Sequence, residues 1–448
     1  MKRVGFLTSG GDCQALNATM RGVAKGLYQI YKDEVEIIGF EDGYKGLMYA
    51  NYLMMKQSDF SGVLTKGGTM LGTSRQPFKL MRVPDENGLD KVELMKHTYY
   101  KLKLDALVVL GGNGSQKTAN LLSQEGLNVI GLPKTIDNDL WGTDMTFGFQ
   151  SAVDIATNAI DCIHTTASSH GRVFIVEVMG HKVGWLTLHA GIAGGADIIL
   201  IPEIPYDLNK VVKKIKERTK NGSRFSILAV AEGAISKEQA ALSKKEYKKY
   251  LEERATKYQS VAYEIGAKIQ EMTGQEIRVT VPGHMQRGGT PVPYDLNKVV
   301  KKIKERTKNG SRFSILAVAE GAISKEQAAL SKKEYKKYLE ERATKYQSVA
   351  YEIGAKIQEM TGQEIRVTVP GHMQRGGTPV PYDRVLSTRI GAHAADMIKN
   401  NEFGKLVVVK NNVITDIPLA ESAGKLKYVD PQSDIVKEAK LIGISFGD

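Results

Sequence analysis

At 448 residues, 42% apolar and 25% charged, the chain is long enough for two or three domains with buried cores, and its composition excludes bulk disorder. No run approaches the roughly 18 apolar residues of a membrane span, and Val4-Gly5-Phe6-Leu7 is too short for a secretion signal. The formal charge of +12 invites a nucleic-acid partner, but no aromatic side chain interleaves with the basic run Lys213-Lys214-Ile215-Lys216, which reads as a solvated helix face, so none is expected.

Along the chain, short β-branched runs alternate with amphipathic stretches, the pattern of an α/β fold with a largely parallel sheet. Strands are expected at Val4–Thr8, Val35–Phe40, Ala106–Leu110, Val129–Leu132, Val173–Val178, Ile198–Ile201 and Ser226–Ala231, with another near Glu276–Val281. A helix is expected around Asn17–Gly26, and a longer, partly exposed one over Lys244–Met272. The two cysteines, Cys13 and Cys162, lack metal-ligand spacing; a reducing cytoplasm is the expected compartment.

From Pro205 to Val292 the sequence recurs, residue for residue, as Pro293 to Val380. A third Pro381-Tyr382-Asp383 then diverges at Arg384. Solenoid repeats run about 20–50 residues and differ from copy to copy; this unit is longer and identical, so it reads as a duplication laid over a single-copy parent. One copy carries a charge of +7, which leaves +5 on that parent. Only one copy's worth of the segment is expected to enter the fold. An exit at Pro205 or in the charged Ser236–Lys249 stretch lies nearer solvent than one beside Gln374-Arg375-Gly376-Gly377, which favours the second copy for ligand-binding residues.

Three strand ends run into glycine. Ser9-Gly10-Gly11-Asp12 precedes a helix, Lys66-Gly67-Gly68-Thr69 is followed by Arg75, and Gly111-Gly112-Asn113-Gly114-Ser115 again joins strand to helix. Such loops let backbone N–H groups approach phosphate oxygens at a helix start. None has the spacing of a Walker or dinucleotide loop, and each alone is simply a turn; three together favour a polyphosphate ligand. Pro133-Lys134-Thr135-Ile136-Asp137-Asn138-Asp139 sets two carboxylates two residues apart after a buried strand, suited to a base and a cation anchor, or to a capped turn.

These motifs, with Asn17-Ala18, Arg21-Gly22, Val178-Met179-Gly180 and Gly283-His284-Met285-Gln286-Arg287-Gly288-Gly289, closely resemble the 6-phosphofructokinases. The resemblance runs in order from residue 4 to beyond residue 390, the surplus copy aside. It implies two similar three-layer α/β/α domains with largely parallel sheets and the active site between them. Residues 1–148 plus about 374–430 would form the nucleotide-phosphate domain, and about 149–373 plus about 431–448 the sugar-phosphate domain.

The resemblance further implies phosphoryl transfer from ATP to the C1 hydroxyl of fructose 6-phosphate, in the cytoplasm, with Mg²⁺. Asp137 would be the general base and Thr135 would touch the reacting sugar. Arg75 would neutralise the transferring phosphoryl group. Gly11, Arg75, Gln76, Gly112, Asn113, Gly114 and Ser115 would hold the nucleotide. The sugar phosphate would be met by Met179, Gly180, His181, Glu232 or Glu320, His284 or His372, and Arg287 or Arg375. Arg172 and Arg278 or Arg366 would reach it across the interface of a homodimer or homotetramer. Asn113 stands where relatives have Asp, so the metal would fall more to Asp139 and waters. His181 replaces an Arg, and Cys13-Gln14-Ala15-Leu16 replaces a Pro-Gly turn. Gly114 matches ATP users, whereas Lys134 matches pyrophosphate users. Gly114 weighs more, because an Asp there excludes nucleotide by bulk and charge while a long lysine moves aside. The rivals are a pyrophosphate-dependent enzyme, a binding-only protein disabled by the duplication, and another kinase with a glycine-rich loop.

Overall fold

Apolar runs buried on both faces belong to parallel strands covered by helices on either side, and the chain lays such runs into two sheets. The computed structural model describes residues 1–85, 88–170, 172–258, 260–280, 296–308, 334, 338, 349–361 and 377–448. Its strands are β1 (Lys2–Ser9), β2 (Val35–Phe40), β3 (Tyr52–Met55), β4 (Ala106–Gly111), β5 (Val129–Pro133), β6 (Val173–Val178), β7 (Ile198–Leu200), β8 (Ser226–Ala231), β9 (Ile277–Thr280), β10 (Lys405–Lys410) and β11 (Val413–Pro418).

The first sheet has the order β11-β10-β5-β4-β1-β2-β3, and its five inner strands are parallel. Only its edges, β3 against β2 and β11 against β10, run antiparallel. The sheet grows outward in opposite directions from the β1–β4 pair, so the loops after these two strands diverge and leave a crevice between them. The second sheet, β7-β8-β6-β9, is wholly parallel. All the expected strands are present, including the one near Glu276. The single helix expected over Lys244–Met272 is two helices, Lys244–Lys257 and Val261–Thr273, because Tyr258 and Ser260 adopt extended backbone.

The two halves are joined by the helix Phe149–His170. Ala152, Ala156 and Ile160 on this helix share one buried cluster with Leu110, Ile130 and Leu132 of the first sheet and with Val176 and Ile199 of the second. Its first turn is capped by the buried Asp383, which accepts hydrogen bonds from the N–H groups of Gly148 (3.1 Å) and Ser151 (2.8 Å). This is the third Pro-Tyr-Asp triplet, put to a use different from Asp207, which caps the helix Leu208–Lys220. The helices Leu16–Tyr31 and Pro381–Lys399 cross at Gly22 and Gly391, where a Cβ on Gly391 would stand 2.7 Å from the Gly22 Cα. Beyond β11 the chain runs back to the second sheet, where Ser445 bridges Ile198.

The duplication resolves asymmetrically. The first copy continues directly from β7: the Tyr206 N–H bonds the Ile235 carbonyl at 3.1 Å, and this copy supplies β8, β9 and the helices Leu208–Lys220 and Val261–Thr273. The described elements of the first copy thus run contiguously from β7 to Thr280, and the surplus segment does not exit at Pro205 or in Ser236–Lys249, where it was expected. In the second copy, the helices Leu296–Lys308 and Val349–Thr361 pack on each other through Val300, Ile353 and Ile357 in a small separate cluster. Their counterparts in the first copy pack on the sheet, with Val211, Ile215, Ile265 and Ile269 buried beside Ile175, Leu228 and Val230. The chain is described again from Gly377, whose carbonyl presses on Gly67 so closely that a Cβ there would collide with it.

Candidate active site

The crevice between β1 and β4 collects the glycine-rich loops. After β1, Gly10 turns with φ +86°, a conformation that favours glycine, and donates its N–H to the Ser74 carbonyl at 3.2 Å. Thr73 Oγ1 donates to the Gly10 carbonyl at 2.7 Å, so the loop carrying Arg75 and Gln76 is tied to the first loop. Asn17 fastens the third loop. Its amide donates to the Lys66 carbonyl at 3.0 Å and its Oδ1 accepts from the Met70 N–H at 2.9 Å. Arg75 is exposed, with no hydrogen-bond or ion-pair partner among the described residues; a ligand phosphate would meet a cation not already engaged.

After β4, the helix Asn113–Gln124 starts at Gly112 without a side-chain cap, leaving its first N–H groups to a ligand. Among the described residues, a Cβ at Gly114 would meet nothing within 4 Å, so the space over this helix start is open. The Asn113 side-chain amide donates to the Lys425 carbonyl. Lys134, buried at 4% exposure, carries its ammonium to the Gly11 carbonyl. The ammonium lies 3.8 Å from where a Gly10 Cβ would be, in the floor of the crevice. The lysine is thus anchored rather than a free arm that moves aside, and in its anchored place it leaves the space at Gly114 clear.

The turn after β5 presents the two carboxylates. Asn138, at φ +53°, braces it: its Oδ1 accepts from the Thr146 N–H at 3.0 Å and its amide donates to the Asp144 carbonyl at 3.2 Å. Thr135 Oγ1 accepts from the Asp137 N–H at 3.0 Å. Asp137 is half-buried, and its Oδ1 lies out of solvent with no hydrogen-bond partner among the described residues. An uncommitted carboxylate oxygen in such a place is what a proton acceptor or cation ligand requires. Burial, with the Asp137 charge beside it, pushes the Asp139 carboxyl up to about 6, against the pull of Lys134 and His181.

His181 belongs to the other half, on the turn after β6. There Glu232, just past the end of β8, accepts from the N–H groups of Gly180 (3.3 Å) and His181 (2.6 Å). Gly180 at φ +150° and His181 at φ +52° make a tight turn, and a Cβ at Gly233 would strike the His181 carbonyl. The first sheet's carboxylate turn and the second sheet's Met179-Gly180-His181 turn thus share one electrostatic neighbourhood.

Two expected ligands lie elsewhere. Arg172 precedes β6 and Arg278 stands on β9, both at the amino end of the second sheet, where they flank Glu276 at 2.7 Å and 2.5 Å. The six residues of β6 separate Arg172 from Met179 by about 20 Å, so these arginines do not reach the turn at the other end of their own sheet. Because the strand beside β6 comes from the first copy, Arg278 holds this position. His284, Arg287, Glu320, Arg366, His372 and Arg375 lie outside the described residues.

Lys427 is a site residue that sequence reasoning missed. Its N–H donates to the Asp139 carbonyl at 2.9 Å, and its ammonium donates to the carbonyls of Thr143 (2.9 Å) and Asp144 (2.8 Å). Burial lowers that ammonium to about 8. Standing in Lys425-Leu426-Lys427, it has the local signature of a solvated basic stretch.

Residues 3–297 and 292–398 match the protein-family model described as Phosphofructokinase. The chain is 44% identical to a protein of Spirochaeta thermophila named ATP-dependent 6-phosphofructokinase, over 99% of this chain and 97% of the relative. It is 38% identical to a protein of Bacteroides thetaiotaomicron named ATP-dependent 6-phosphofructokinase 3, over 99% and 100%. The phosphofructokinase structure from Saccharomyces cerevisiae superposes with a TM-score of 0.63 at 25% identity, covering 94% of this chain and 45% of that longer one. Matched by that family model over most of its length, and at least 38% identical to these two relatives over nearly the whole of both chains, the chain belongs to the phosphofructokinase family.

Proposed function

We propose that the chain transfers the γ-phosphoryl group of ATP to the C1 hydroxyl of fructose 6-phosphate, giving fructose 1,6-bisphosphate and ADP. The observation that carries this is Asp137. A carboxylate oxygen with no partner among the described residues stands on a turn that adjoins both the phosphate loops and the Met179–His181 turn. Asp137 takes the proton of the C1 hydroxyl as that oxygen attacks the γ-phosphorus, and the bond to the ADP oxygen breaks. Gly11, Gly112 and the N–H groups of the uncapped helix start receive the donor's phosphates, and Arg75 offsets the charge on the moving group. The open space at Gly114 and the names of the relatives support ATP as the donor over pyrophosphate.

The Asp139 carboxylate is a hard-oxygen donor of the kind that fits Mg²⁺, most of whose ligands are commonly waters and phosphate. The Asn113 amide, already donating to Lys425, contributes no charge. When bound, the metal neutralises phosphate charge; Asp139 is the residue assigned to hold it. Arg172 and Arg278, too far from their own Met179 turn, would complete the sugar-phosphate site of a neighbouring subunit in a homodimer or homotetramer. Two free cysteines, Cys13 buried and Cys162 exposed, agree with a cytoplasmic enzyme. No helix among the described residues is long and apolar enough to cross a membrane. The test is Asp137→Asn: kcat falls by about 10²–10⁴-fold while fructose 6-phosphate still binds. A variant that keeps more than about a tenth of the activity would remove Asp137 from this role.

A further inference from the structure

The Asp137 turn has to be held from outside, because the base's own buried oxygen makes no bond among the described residues that would fix it. Asn138 braces the turn internally; the external contacts come from a short strap, Lys425 to Val429, on its way between the halves. Leu426 bridges Leu140, and the Lys427 N–H and ammonium together engage three carbonyls of the turn, those of Asp139, Thr143 and Asp144. From the second half, Trp185 Nε1 donates to the Lys427 carbonyl at 2.9 Å, and the Lys427 ammonium lies 5.4 Å from the centre of the Trp185 ring. Trp185 opens the helix that follows the Met179–His181 turn. Glu203 pins the far end of the strap and that same helix start at once, accepting from the N–H groups of Val429 (2.9 Å) and Gly184 (3.0 Å). One residue therefore binds the turn of the base and the element bearing the sugar turn.

A structural role alone would not require a cation here. The ammonium is drawn inward onto two carbonyls without a direct ion pair among the described residues, an arrangement that costs desolvation which a methionine of similar length would avoid. We propose that Lys427 is a positioning residue for phosphoryl transfer, clamping the Asp137–Asp144 turn against the Trp185 helix so that base and sugar stay in register. This rests on the functional reading above. A misplacement of about 1 Å in reacting groups costs about 100-fold in rate, so the clamp acts on kcat more than on binding.

The test uses the full chain, with kcat, KM for both substrates, fructose 6-phosphate binding at equilibrium and the thermal midpoint measured for three proteins. Lys427→Met keeps the stem and removes the ammonium donors; Trp185→Phe keeps a ring and removes the N–H. The expected result is a fall in kcat of about 10–100-fold for Lys427→Met, with KM and sugar binding within about three-fold. Trp185→Phe falls less, in the same direction. If Lys427→Met does not fold, Trp185→Phe decides alone: a selective loss of kcat supports the clamp and an unchanged kcat overturns it. An active wild type beside a folded Lys427→Met with unchanged kcat overturns the clamp and spares the functional reading. A wild type that phosphorylates no fructose 6-phosphate overturns both.

Discussion

Removing 88 consecutive residues from within the repeat, wherever the cut begins, yields the same 360-residue chain, because the copies are identical. Excision of residues 281–368 is the cut the structure suggests. As it stands, 96 residues separate Thr280, in the second sheet, from Gly377, beside Gly67; after excision, eight residues span the same gap. On logarithmic loop closure, shortening the span twelve-fold stabilises the fold by about 2 kcal/mol. For domains of this size that raises the thermal midpoint by about 4–8 °C. The second copy offers little in return, since its described helices bury only a small cluster of their own, apart from the main core. Thermal unfolding followed by circular dichroism, with specific activity measured on the same samples, checks this. A midpoint that falls on excision, or activity that disappears, would show that the second copy carries native contacts and would refute the asymmetric account.

Gly114→Asp should abolish turnover with ATP, because the new carboxylate enters the open space over the helix start; Lys134→Gly should leave ATP turnover largely intact, both read in a steady-state assay. Arg278→Ala should weaken fructose 6-phosphate binding by about 10–150-fold, the value of a charged hydrogen-bonding partner, whereas Arg366→Ala should be nearly silent; equal losses would mean that both copies visit the sheet. Because the copy-two end, Gly377, is the one beside Gly67, Arg375→Ala should be severe and Arg287→Ala mild. Asp139 carries a folded-state pKa above its unfolded value, so its ionisation costs stability. That cost is absent below about pH 4, grows as the unfolded chain ionises first, and is complete above about pH 6. Asp139→Asn should therefore stabilise the protein at neutral pH, by at most about 3 kcal/mol, with the difference vanishing near pH 4 in denaturant titrations.

Central parallel strands were legible because burial on both faces turns them into unbroken apolar runs, as in Leu107-Val108-Val109-Leu110. The phosphate loops were legible for a related reason: a glycine after such a run is a local signal. The edge hairpin β10–β11 had a signal that went unread, Asn411-Asn412 between two β-branched runs; both residues take positive φ, +49° and +66°. The break in the helix expected over Lys244–Met272 had none, since neither glycine nor proline marks Tyr258–Ser260. For Arg172 and Arg278, only the family resemblance suggested a shared role; their placement at the amino end of the second sheet emerges from strand register. Lys427 could not be found locally, because what distinguishes it is the company of Asp139, Thr143, Asp144 and Trp185, all more than 240 residues earlier in the chain.

This chain, duplication included, phosphorylates fructose 6-phosphate at C1 from ATP. Purified full-length protein, incubated with fructose 6-phosphate and Mg²⁺ and supplied with either ATP or pyrophosphate, with fructose 1,6-bisphosphate read through a coupled assay, tests it directly. Rapid product formation with ATP and none above background with pyrophosphate is the predicted result. Faster turnover with pyrophosphate would contradict the assignment of the donor, and no product with either would contradict the activity itself.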